Sequence, residues 1–170
     1  MLLAMTLENF TLIHVLISLL GIASGLIVLF GLLTGRRMQG WTALFLATTV
    51  LTSLTGYMFP FTHLLPSHIV GAISLVALAI AIFARYFRHL AAGWRRTYVI
   101  SAMLALYLNV FVLVVQSFQK VPALHALAPT QKEPPFAIAQ LLVMLAFIVL
   151  TIFAVKRFRP QPTIPIARAA

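Results

Sequence analysis

FTLIHVLISLLGIASGLIVLFGLLT, residues 10–34, runs for 25 residues without a Lys, Arg, Asp or Glu. A helix rising 1.5 Å per residue needs about 20 apolar residues to cover the roughly 30 Å hydrocarbon layer of a membrane. Four more uncharged stretches follow, Trp41 to Phe61, Pro66 to Ala84, Thr97 to Gln119 and Pro135 to Val155. The whole chain is 62% hydrophobic and 8% charged, against roughly 45–50% and 25% in an ordinary soluble domain. These runs predict a single all-α membrane domain over residues 1–170, a polytopic bundle of five transmembrane helices. They fall at about 10–34, 41–61, 66–84, 97–119 and 135–155, with a Pro-rich outer loop at 120–134 and a tail at 156–170.

Charge sets the expected orientation. Arg36 and Arg37 follow the first run, Arg85, Arg88, Arg95 and Arg96 lie between the third and fourth, and Lys156, Arg157, Arg159 and Arg168 follow the fifth. Only Lys120 and Lys132 fall on the other side, with Glu8 and Glu133. Short loops rich in Lys and Arg stay cytoplasmic, so the N-terminus is expected outside and the C-terminus inside. Residues Met1 to Asn9 hold no Lys or Arg, unlike the positive start of a secretory signal, so the first helix is expected to persist.

Composition also bounds function. The formal charge of +10 sits at helix ends rather than in a soluble patch, which points to anionic membrane lipids as partners and away from nucleic acid. Cysteine is absent, which removes disulfides, thiolate metal sites and a Cys nucleophile. With Glu8 and Glu133 the only acids, paired-carboxylate hydrolysis and a Ser–His–Asp triad lack their carboxylate, and no acid lies in a span to couple a transporter to protons. The expectation is a protein that is not an enzyme.

Each run carries a stripe of small or polar residues of the kind that packs membrane helices. His14, Ser18, Gly21 and Gly25 share a face of the first, with a second GxxxG spacing at Gly31 and Gly35. In the assumed orientation His14, Ser18, Thr52, Thr55, His68, Ser74, Gln116 and Gln140 all fall in the outer half of the bilayer. Buried polar atoms there need partners. An outward-opening polar pocket is expected, with Ser18, Thr52, Thr55, Gln116, Gln140 and His125 as ligand-pocket residues and the Pro-rich loop as spacer or lid.

Four of the five histidines, His14, His63, His68 and His125, belong to the outer side. The commonest fate of a lone membrane His is a hydrogen bond to another helix. Two imidazoles at similar depth, His14 and His68, would also serve as axial ligands to one haem b, with Ser18, Gly21, Gly71 and Ala72 leaving room for the ring. The general outline resembles four-helix membrane cytochromes b, but the second inner pair of histidines found in two-haem members is missing here, where His89 stands alone. A metal site from His14, His63, His68 and His125, with Met58, is a weaker reading because carboxylates to orient the rings are lacking. Quinone binding by His and Gln donors is a further option.

Three stretches, RRMQGWTALFLATTVLTSLTGYMFPF at 36–61, LPSHIVGAISL at 65–75 and LNVFVLVVQSFQKVPALHALAPTQKEPPF at 108–136, resemble small multi-helix bacterial inner-membrane proteins. The resemblance implies a multi-pass place in the bacterial cytoplasmic membrane and no activity. The first run and its basic turn resemble His-containing bacterial membrane proteins associated with haem. The leading functional expectation is a component that binds a small ligand or partner in the outer pocket. The alternatives are a single-haem electron carrier, or a subunit assembling with another membrane protein or a second copy through small-residue faces such as GLLTG at 31–35.

Overall fold

The computed structural model describes residues 6–59 and 66–159; His63, the prolines of the tail and Arg168 lie outside them. Within these residues the chain is all helix: α1 (Leu7–Leu33), α2 (Gln39–Gly56), α3 (Pro66–Ile82) continued by a π turn (Phe83–Phe87), α4 (Trp94–Lys120), a short α5 (Pro122–Leu127) and α6 (Pro134–Arg157). Four segments, Leu7–Leu33, Ser67–Phe87, Trp94–Lys120 and Pro134–Arg157, are long and apolar enough to cross a membrane. The second expected span does not reach that standard among the described residues. α2 stops at Gly56, its 18 residues spanning about 27 Å, and Gln39 and a run of hydroxyl side chains dilute its hydropathy.

Three of those hydroxyls are satisfied along α2 itself. Thr42, Thr48 and Thr55 each donate to the carbonyl one turn back, Met38, Leu44 and Leu51. Such back-bonds remove the cost of a bare polar atom in an apolar setting.

α4 is the centre of the bundle, touching α1, α3, α5 and α6. Tyr98, Val99, Ala102, Met103, Ala105 and Leu106 are buried along it. α1 lies against α2 and α4 through its glycines: a Cβ on Gly25 would come within 2.5 Å of Leu106 Cδ1 of α4 and 2.9 Å of the Phe45 ring of α2, and one on Gly21 within 3.3 Å of Thr48 Oγ1 of α2. Small residues admit this approach, and in lipid such packing replaces the hydrophobic drive between helices. α6 is peripheral, with only Phe147 and Ala154 buried.

The second glycine pair has a different use. Gly35 takes φ +72°, and the amides of Arg36 and Gly35 reach back to the carbonyls of Gly31 (2.8 Å) and Leu32 (3.4 Å). This is the six-to-one and five-to-two pattern that ends a helix on a left-handed glycine. A Cβ on Gly31 would meet Met38 at 2.9 Å. GLLTG is therefore a helix stop packed under Met38, not the exposed small-residue face expected for assembly.

The loop expected at 120–134 holds α5. Pro122 occupies its first turn, where the missing N–H costs nothing and the fixed φ favours a helix start. Glu133 closes the loop: Oε1 accepts from Thr130 N (3.1 Å) and Thr130 Oγ1 (2.9 Å), and Oε2 from Lys132 N (3.0 Å). Slight desolvation pushes the Glu133 carboxyl up, but these donors outweigh it and hold the group below its ordinary range.

Candidate functional site

A cleft of about 460 Å³ opens between the Thr11 end of α1, the Tyr57 end of α2, the Ser67 end of α3 and the Lys120 end of α4. Its walls are mainly apolar, from Val15, Leu19, Ile22, Val70, Leu108 and Val112. Polar groups enter singly from each helix. His14 and Ser18 come from α1, Thr52 and Ser53 from α2, His68 and Ser74 from α3, and Asn109, Gln116 and Lys120 from α4.

The frame around the cleft is cross-linked. Asn109 Nδ2 donates to Thr49 Oγ1 (3.2 Å), tying α4 to α2, and Ser53 Oγ donates to Ser74 Oγ (3.2 Å), tying α2 to α3. Tyr57 leaves the end of α2 to stack on His68, centroids 5.4 Å apart at 26°, and its hydroxyl donates to the His68 carbonyl. The same ring covers Gly71, where a Cβ would stand 3.2 Å from it. A larger residue there would push the Tyr57 ring back by a few tenths of an ångström. Phe59 closes the neighbouring corner, edge-on to His14 at 5.1 Å and tilted on Phe10 at 4.9 Å.

His14 is held in one chemical form. Its Nδ1 lies 2.8 Å from Thr55 Oγ1, whose own hydrogen is directed to the Leu51 carbonyl at 2.7 Å. That hydroxyl has only lone pairs left, so it accepts from Nδ1–H, and Nε2 keeps its lone pair. A histidine oriented through Nδ1–H with Nε2 bare is the form that accepts a hydrogen bond or binds a metal.

Thr52 differs from its neighbours. Its Oγ1 is buried at the cleft and has no hydrogen-bond partner among the described residues, unlike the back-bonded Thr48 and Thr55. A buried hydroxyl left bare costs roughly 1–3 kcal/mol.

Of the residues expected at the outer pocket, His14, His68, Ser18, Thr52 and Gln116 line this one cleft, and Thr55 supports it from behind His14. Two lie elsewhere. Gln140 Nε2 donates to the Phe111 carbonyl (3.2 Å) and fastens α6 to α4, with Oε1 bare among the described residues. His125 sits exposed on α5, its Nδ1 3.3 Å from the Phe118 carbonyl. Tyr57, Ser53 and Lys120 join the cleft without having been singled out from sequence. Tyr57 had a signal, an aromatic two residues before Phe59 at a helix end, but it reads equally as a membrane-interface anchor. Among the described residues no three His, Asp or Glu side chains come together, so the four-histidine metal reading gains no support from the geometry, and its member His63 lies outside the described residues.

No protein family, curated protein or solved structure matches this chain.

Proposed function

We propose that this chain is a five-span protein of the bacterial inner membrane, N-terminus outside and C-terminus in the cytoplasm, that holds a small, largely apolar ligand in the cleft between α1, α2, α3 and α4. Four long apolar helices supply the membrane reading, and the back-bonded hydroxyls of Thr42, Thr48 and Thr55 support α2 as a fifth span. The grouping of the Lys and Arg residues supplies the orientation. The ligand reading rests on the cleft itself, in which His14, Ser18, Asn109 and Gln116 stand singly among apolar walls. The cleft volume lies within the roughly 300–1,000 Å³ of small-molecule sites, which are mostly apolar with a few placed polar groups.

Mass spectrometry of the intact protein, released gently from mild detergent, tests this. Wild type should carry a bound small molecule that Thr52→Val combined with Asn109→Leu loses. Bare protein mass for both would overturn the reading.

One observation favours haem b as the occupant. His14 and His68 line the same cleft, and Thr55 leaves His14 Nε2 able to ligate. Under this second reading the purified protein shows a Soret band that His68→Ala abolishes. A colourless preparation after haem is supplied during expression removes haem and leaves a colourless ligand.

A further inference from the structure

The opposite end of the bundle carries a second hollow, about 560 Å³, lined by Arg95, Arg96, Val155, Lys156 and Arg159. A helix C-terminus normally repels anions because its last carbonyls carry partial negative charge. Here that charge is already covered. Arg95 Nη1 donates to the Val155 carbonyl at 3.0 Å and to the Phe158 carbonyl, so the guanidinium of α4 caps the end of α6. Arg96, Lys156 and Arg159 are exposed, and no carboxylate among the described residues pairs with them, since Glu133 is bonded within its own loop at the other end.

Apolar side chains lie one helical turn away on the same two helices. One turn further along α4 from Arg96 is Ile100, 52% exposed, and one turn back along α6 from Lys156 are Ile152 and Phe153, each 49% exposed. Cations without a carboxylate partner among the described residues thus precede exposed apolar positions on two span-length helices. A free anion would use only the first part of this surface, whereas a phospholipid would use both.

We propose that this hollow binds the phosphate headgroup of an anionic membrane lipid, with Arg96, Lys156 and Arg159 around the phosphate, Arg95 keeping the end of α6 from repelling it, and an acyl chain lying along Ile100, Ile152 and Phe153. The inference rests on the membrane reading above but not on the cleft or its ligand. Arg side chains suit phosphate through their planar fork, and Lys adds a mobile point charge.

The test is thermal unfolding of the full chain in a zwitterionic detergent while phosphatidylglycerol, phosphatidylcholine or inorganic phosphate is titrated in. Phosphatidylglycerol should raise the midpoint, and the other two should not. The triple variant Arg96→Gln, Lys156→Gln, Arg159→Gln should weaken the phosphatidylglycerol response roughly a hundredfold, as expected for three cations near an anionic headgroup. The control Arg36→Gln with Arg37→Gln removes two exposed cations of the same end that do not line the hollow, and should leave the response within about twofold. Lys156→Arg should keep it.

An equal loss in the control would mean diffuse surface charge, and an equal response to inorganic phosphate would mean a free-anion site. Either overturns the proposal, as does an unchanged triple variant with a native circular dichroism spectrum. A chain released from membranes by an alkaline carbonate wash would sink the membrane reading as well. A chain that stays embedded but shows no lipid preference would sink only the lipid site.

Discussion

At the cleft end, helices are joined by neutral pairs such as Asn109–Thr49, Ser53–Ser74 and His14–Thr55. At the other end they are joined by cations: Arg95 on the carbonyls of α6, Arg85 over the Tyr98 ring at 5.4 Å and Arg88 over the Trp94 ring at 5.3 Å. The difference is one of reach. Short neutral side chains hold only if the backbones are already close, so they fix a cleft of defined shape. Long cationic side chains tolerate an irregular backbone, and that end has one, with the π turn at Phe83–Phe87 and left-handed His89, Leu90 and Ala92. That contrast favours the proposed ligand site at the first end and the proposed headgroup surface at the second.

Breaking the middle should damage both ends together. Gly25→Val places atoms against Leu106 and Phe45, which are held in the core, and should cost about 3 kcal/mol, the upper part of the overpacking range. Unfolding in mild detergent measures it, and a wild-type midpoint would show that α1 and α2 do not pack as described. Next in size is Arg95→Leu, which removes the cap on α6 and should cost about 1.5 kcal/mol, typical of hydrogen bonds to a charged donor. Faster amide exchange confined to the last turn of α6, with the cleft residues unchanged, would separate the two ends.

Thr55→Val deletes the acceptor of His14 Nδ1–H and should cost about 1 kcal/mol. It should also free the imidazole to change tautomer, visible as a shift in its ring nitrogen resonances. Unchanged resonances would mean that Thr55 does not orient His14. The smallest effect is one of pH. The Glu133 carboxyl titrates below its unfolded value, so its contribution is complete above the unfolded value and is lost as pH falls through the folded one. The protection factor of the Thr130 and Lys132 amides, the exchange rate corrected for its intrinsic fall with pH, should drop as the solution is acidified through that range and stay low and flat in Glu133→Gln.

Charge-free runs made the long helices visible in the sequence because one physical requirement, covering about 30 Å of hydrocarbon, sets both length and composition. The same runs overstated α2, which was expected to reach Phe61. Its helix ends where Tyr57 turns to stack on His68, a long-range contact that no local pattern announces. The Pro-rich stretch 120–134 reads as a spacer or lid in the sequence, yet it holds α5, which Pro122 is well placed to begin. For the site, depth along each helix groups His14, Ser18, His68, Thr52 and Gln116 toward one end of the bundle, and these five line one cleft. Depth says nothing about rotation around the axis, and that is what turns Gln140 toward Phe111 and away from the cleft. The GLLTG pair looked like a packing face because spacing alone cannot separate a helix seam from a left-handed cap.

In the proposed topology the cleft and the cationic hollow face opposite sides of a membrane. Because the chain has no cysteine, single cysteines introduced at Thr11 and Arg159 report each side alone. In intact cells a membrane-impermeant maleimide should label Thr11→Cys at once and Arg159→Cys only after the inner membrane is permeabilised. Labelling of both from outside, or of Arg159→Cys alone, would contradict the account.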